Sequence, residues 1–314
     1  MTLVIVVKCV DGLVLAADTK QTLPKLSDNR HTATDSGAIR TVKLFHLKEP
    51  QNYVGVLHSG YAAVNAGFKV SNGYEKIARY SFGACINRFE CELRNRGERR
   101  LTVAEFQDRL ENYLIVYWER YRKQRVNDAE MMKRQMEREG LSKSLEVLSG
   151  FERFSVTLLV AGYDEGEKTG GHVVRILLRD DDECWQASKY VYRSPKIEMI
   201  PTTCGVLYGG DGRFVEPVLT EGDPVQHFNK LQHGCKEATI AEIADIKTRN
   251  GVKFFNTQPG FFSSDKLTTH DGQRLAQLLI KGTADFFCGE GFVGGPIHIC
   301  TINPLSGIKC DFCQ

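Results

Sequence analysis

The chain has 314 residues with 42% hydrophobic content, enough to bury a large core, so whole-chain disorder is excluded. Lys plus Arg number 41 against 39 Asp plus Glu, a formal balance of +2, and this gives no field that would mark a nucleic-acid or membrane binder. Ten cysteines are dilute in a chain of this length. Leu3 to Val7 is interrupted by Lys8 and Asp11 before a leader core can form, so the thiols are expected to be reduced and the protein soluble and cytoplasmic. No run approaches the roughly 18 consecutive apolar residues of a membrane span.

In chain order, Leu3 to Val7 and Leu13 to Ala17 are apolar runs around the turn Val10-Asp11-Gly12, which predicts a buried hairpin beginning almost at the terminus. Between Thr19 and Ile39 polar residues dominate, with Pro24 and Gly37 as breakers, so a long irregular excursion is expected. Thr41 to Leu47 and Tyr53 to Leu57 read as a strand pair ending in His58-Ser59-Gly60. The spacing of Ala62, Ala63, Ala66, Val70, Ile77 and Ala78 then predicts a helix, weakened by Gly67 and Gly73. A clearer helix starts at Thr102, which forms a capping box with Glu105 and buries Phe106, Leu110, Tyr113, Leu114 and Tyr117. From Glu119 to Leu148 charge dominates, as on a solvated helical extension.

Strands are expected at Phe154 to Ala161, Val173 to Leu178, Trp185 to Tyr192 and Ile197 to Tyr208, the last ending at Gly209-Gly210-Asp211-Gly212. Helices follow at Ile240 to Ile246 and Gly272 to Phe287, and a strand at Pro296 to Ile302. Cys310-x-x-Cys313 is either half of a zinc site or part of a frayed tail, and no second pair has ligand spacing. The histidines His172, His227, His233 and His270 show no metal-ligand spacing either. Without repeats or a low-complexity linker, the reading is one domain over residues 1–314 with insertions near 19–40, 119–150 and 213–270.

The terminal hairpin matters chemically. Loss of Met1 would leave Thr2 with a free α-amine, whose ordinary pKa of about 7.7 to 8.0 lets it take the hydroxyl proton of the same residue. Thr2-Leu3-Val4-Ile5-Val6-Val7, Asp11 to Asp18, Lys43-Leu44-Phe45-His46-Leu47 and Tyr53 to Gly60 together resemble the start of a proteasome β-type subunit. Phe154 to Asp164 resembles a later strand of that family, and Gly294-Gly295-Pro296-Ile297-His298-Ile299 its closing strand. The resemblance covers about half the chain, and its style is that of bacterial proteasome-like and HslV-like subunits of the N-terminal-nucleophile (Ntn) hydrolases.

The resemblance implies an α+β fold, a four-layer αββα sandwich with insertions, and a threonine-type endopeptidase acting through an acyl-enzyme. It assigns Thr2 as nucleophile, Asp18 as buried carboxylate, Lys43 as the neighbouring cation and Gly60 as oxyanion donor, with His58 and Ser59 lining the substrate pocket. Asp211 stands where the family has a serine; it either accepts a hydrogen bond from the Thr2 amine or caps a turn. Asp285 and Cys288 match the family's second Asp and Ser only loosely. The resemblance implies no metal or organic cofactor, a peptide or protein substrate, a homo-oligomeric ring and room for an ATPase unfoldase partner. An Ntn amidase on a small-molecule amide, a catalytically silent structural subunit and a regulatory module built on the 119–148 helix remain the alternatives.

Overall fold

The computed structural model describes residues 3–21, 39–40, 42–60, 63–70, 75–138, 145–146, 155–180, 191–193, 197–199, 204–220, 237–254, 260–286 and 293–313. Thr2 and Cys288 lie outside the described residues, as do most of the 19–40 excursion, residues 185–190 of the strand expected from Trp185 to Tyr192, and the segment 221–236. Among the described residues no helix is long and apolar enough to cross a membrane.

Two strands open the chain, β1 (Leu3–Lys8) and β2 (Leu13–Asp18), followed by the short β3 (Lys20–Gln21) and β4 (Ile39–Arg40). Next come β5 (Leu44–His46), β6 (Val54–Gly60), β7 (Ala63–Val70), β8 (Glu75–Ser81), α1 (Phe82–Asn95) and α2 (Val103–Arg138). The middle of the chain supplies β9 (Leu145–Glu146), β10 (Ser155–Gly162), β11 (His172–Asp180), β12 (Val191–Arg193), β13 (Ile197–Met199) and β14 (Cys204–Gly210). After α3 (Val215–Leu219) and α4 (Glu237–Arg249) come β15 (Lys253–Phe254), β16 (Phe261–Ser263), α5 (Thr269–Phe286), β17 (Ile297–Asn303) and β18 (Gly307–Cys313).

A seven-stranded antiparallel sheet has the order β15-β16-β14-β1-β2-β17-β18, and a six-stranded one the order β12-β11-β10-β6-β5 with β13 also on β11. β1 is central to the first sheet, flanked by β2 and β14, which is why both its faces are apolar and all six residues are buried. Leu3, Ile5 and Val7 pack toward α3, α4 and α5 with Ile243, Leu275 and Leu279. Val4 and Val6 face the other sheet, against Leu57, Leu159 and Leu207. The far side of the six-stranded sheet is covered by α1 and α2 through Phe89, Phe106 and Trp118.

The sequence-based architecture needs correction. The chain is a mixed α/β fold with two large antiparallel sheets, a separate three-stranded sheet and five helices among the described residues; helices do cover the outer faces of the two large sheets, but the third sheet means it is not the clear four-layer αββα sandwich expected. The finding that overturns it begins at Ala63, where the expected helix is instead the hairpin β7–β8, joined by β9 in a separate three-stranded sheet. Ala66 pairs with Ala78 across that hairpin, so residues spaced for one helix face serve as cross-strand neighbours. The helix belongs one step later, at α1, where the Ser81 side chain accepts the Ala84 N–H and Phe82, Cys85, Ile86, Phe89 and Leu93 form the buried stripe. The capping box of α2 is present as expected: Glu105 accepts from Thr102 N–H and Thr102 Oγ1 accepts from Glu105 N–H.

Two further expectations change at the C-terminus. Residues after Gly307 form β18, paired along its length with β17, instead of a frayed tail. Cys300 and Cys310 face each other across that pair and form a disulfide, so these two thiols are not reduced, and Cys310 is not half of a zinc site.

Candidate active site

The site is assembled around the first residue of β1. In the hairpin register Val4 lies opposite Ala17, which brings Asp18, the last residue of β2, beside Leu3. Asp18 is fully buried, and among the described residues its carboxylate accepts from three donors in separate parts of the chain. Oδ1 accepts the Leu3 N–H at 3.0 Å and the Lys43 ammonium at 2.9 Å, and Oδ2 accepts the Gly294 N–H at 3.3 Å. An ion pair out of water is sustained only when further hydrogen bonds satisfy its remaining lone pairs and protons, and here two backbone N–H groups bond the carboxylate and the Lys20 carbonyl accepts from the ammonium.

Lys43 is only 3% exposed and also donates to the Lys20 carbonyl oxygen. Burial lowers its pKa, opposed by the charge of Asp18 and by the hydrogen bond to it. Its own carbonyl accepts the His58 N–H at 3.0 Å, which ties this cation to β6 two residues before Gly60. Gly60 has φ +100°, and a Cβ there would stand 2.4 Å from the Ser155 carbonyl oxygen, so this strand end accepts only glycine.

The two residues between these points separate by strand alternation. His58 turns toward the helices, its ring 5.7 Å from Phe45 and 6.4 Å from Phe82, and it is buried. Burial, then the positive charge of Lys43, bring its pKa down to about 4, against a backbone hydrogen bond with Lys43 that raises it. Ser59 turns the other way, into the space between the sheets. Its Oγ is buried, has no hydrogen-bond partner among the described residues, and lies 3.0 Å from where a Cβ on Gly209 would sit.

Asp211 approaches from β14, since Gly210 pairs with Leu3. Its carboxylate takes the Arg213 guanidinium in a fork, at 3.0 and 3.1 Å from Nε and 2.6 Å from Nη2, and also accepts the Arg213 N–H at 3.1 Å. That last bond has the geometry of a turn cap, one of the two roles the sequence left open for Asp211; the other involves Thr2, outside the described residues. Burial works to raise the Asp211 pKa, but the hydrogen bonds and charge of Arg213 outweigh it and leave the carboxyl below its ordinary value.

The structure thus brings Asp18, Lys43, the strand end at Gly60 and the turn at Asp211 to the start of β1, while Asp285 is carried within α5. Sequence reading missed Gly294 as a holder of Asp18 and Arg213 as the partner of Asp211. The Gly294-Gly295-Pro296 run was the available signal for the first. Gly295, at φ +77°, would place a Cβ 2.7 Å from Thr19 Oγ1, so the loop presses directly on the chain leaving Asp18. Elsewhere, Asp164, Glu167 and His172 bring potential metal-ligand atoms within 4.8 Å of one another in the β10–β11 loop. There His172 Nε2 lies 2.9 Å from Glu167 Oε1, and Asp164 accepts the Val103 N–H at the start of α2.

No protein-family model and no curated protein matches the chain. The solved structures it is similar to include Anbu proteins from several bacteria. Anbu (ancestral beta-subunit) from Yersinia bercovieri is 10% identical over 99% of this chain and 87% of that one, with a TM-score of 0.43. The helical assembly of the Anbu complex from Pseudomonas aeruginosa gives 14%, 99%, 86% and 0.47, and Anbu from Hyphomicrobium sp. strain MC1 gives 11%, 99%, 87% and 0.44. The expectation of an HslV-like or proteasome β-type subunit is not upheld: the solved structures the chain resembles are described as Anbu (ancestral beta-subunit) proteins.

Proposed function

We propose that the chain is a threonine-type amide hydrolase, a peptidase whose nucleophile is Thr2 once Met1 is removed. The observation that carries this reading is the Asp18 carboxylate, buried, paired with Lys43 and bonded to the N–H of Leu3, the residue covalently joined to Thr2. A buried cation held beside a terminal Thr favours the alkoxide and the neutral amine, the two forms that an N-terminal nucleophile must use.

In this reading Thr2 Oγ attacks the substrate carbonyl and the Thr2 amine takes the hydroxyl proton. Gly60 N–H stabilises the tetrahedral oxyanion. The C–N bond breaks, the protonated amine returns its proton to the leaving nitrogen, and an acyl ester remains on Thr2. Water then attacks the ester with the amine again as base, releasing the acid and restoring the hydroxyl. Ser59 borders the substrate, His58 supports β6 from behind, and the Asp211–Arg213 pair holds the turn opposite Leu3. One domain carries the site with its insertions, copies of the chain assemble to enclose it, and protein substrates are fed by an ATPase unfoldase.

Hydrolysis of fluorogenic peptide amides tests the reading. Thr2→Ala is expected to abolish turnover, and Lys43→Ala to lower kcat about 10²-fold or more. Full activity in Thr2→Ala would exclude it.

A further inference from the structure

A cavity of about 250 Å³ opens between the two sheets, beside the start of β1. Its walls are Thr157 on β10, Arg175 and Leu177 on β11, Ile197 on β13, and Tyr208 with Gly209 and Gly210 on β14. Gly210 is the residue paired with Leu3, so the cavity ends one strand away from the candidate nucleophile's neighbour. Gly209 keeps the passage clear, since a Cβ there would stand 2.9 Å from Thr157 Cγ2 and 3.0 Å from Ser59 Oγ.

Arg175 is half-buried in this wall, with a long hydrogen bond of 3.3 Å to the Tyr208 carbonyl, a side-chain hydrogen bond to the Tyr208 hydroxyl, and its guanidinium 5.7 Å from the Tyr208 ring centre. Among the described residues no carboxylate pairs with it. The nearby acids are otherwise engaged: Glu216 accepts from the Tyr208 hydroxyl, and Asp211 is matched by Arg213. A guanidinium offers five donors in a fork, and among the described residues Tyr208 takes only part of that fork, leaving donors to meet whatever fills the cavity.

We propose that this cavity is a specificity pocket for an acidic side chain, an Asp or Glu of the substrate, read by Arg175. The substrate class rests on the peptidase reading above, but the charge preference can be measured apart from turnover. The volume suits one side chain rather than a cofactor, and a bidentate carboxylate is the ligand a guanidinium in an apolar-walled pocket selects.

The test uses the full chain with Thr2→Ala, so that binding is read without hydrolysis, and fluorescently labelled N-acetyl hexapeptide amides in which Glu, Gln or Lys is scanned through each position. The expected result is one position at which Glu binds about tenfold tighter than Gln. That preference disappears in Arg175→Gln, persists in part in Arg175→Lys, and turns to favour Lys in Arg175→Glu. Equal binding at every position, no binding of any peptide, or a Glu preference untouched by Arg175→Gln would overturn the proposal. A preference that persists in a protein whose native Thr2 never reacts would defeat the hydrolase reading and leave the pocket standing.

Discussion

His58 makes the core sensitive to acid. Its pKa is held down to about 4, whereas an unfolded imidazole titrates near 6.5. Between those values the unfolded chain binds more protons, so this contribution is present in full above about pH 6.5 and is lost as pH falls through the window toward 4. The full loss is about 3 kcal/mol. Urea unfolding at pH 7 and pH 4 should show it in the native chain and not in His58→Phe, which fits between Phe45 and Phe82; equal acid loss in both would refute it. The Asp18–Lys43 pair makes a second residue-scale prediction. Asp18→Ala leaves a buried ammonium unmatched and should cost about 3–5 kcal/mol in chemical denaturation. The double change Asp18→Leu with Lys43→Met should recover part of that stability, because it removes the orphaned charge, while Thr2 stays unreactive. Recovery of Thr2 reactivity along with stability would mean the pair is purely structural.

At the scale of elements, Thr102→Ala removes the side-chain cap of α2 and should cost about 1 kcal/mol, read as a shift in denaturation midpoint. The Cys300–Cys310 link closes a loop of sequence separation 10 between β17 and β18, and Cys300→Ser should cost about 2–3 kcal/mol relative to the oxidised chain. Reductant should shift the native protein toward the variant; indifference to reductant, with both thiols open to alkylation, would contradict the link. These elements also show what the sequence makes legible. The opening hairpin, β10, β11, the capping box and α5 were readable because alternation, caps and apolar stripes agree with their final pairing. The region after Gly60 was not, because alanine suits a helix locally while β8 and β9 supply strand partners that no local pattern reveals. In the candidate site, Asp18, Lys43 and Gly60 were legible as motif residues, but Gly294 and Arg213 were not. Their roles exist only once β17 is laid beside β2 and the 211–213 turn closes on itself.

For the whole molecule, the two large sheets serve the site by bringing β1, β6, β10 and β14 to one end, with apolar side chains between them. The proposed peptidase reading requires enclosure, so sedimentation velocity should show a particle several times the 35.3 kDa chain, and a stable monomer would contradict the proposed assembly. The central claim is that Thr2 is a competent nucleophile, and intact-mass spectrometry tests it most directly. The purified protein is weighed before and after incubation with a β-lactone that acylates N-terminal threonine, with Thr2→Ala as control. Loss of Met1 and a single adduct absent from Thr2→Ala is the predicted result. Retained Met1, or a free Thr2 that takes no adduct, would contradict the account and leave the buried Asp18–Lys43 pair as a structural feature of a silent subunit.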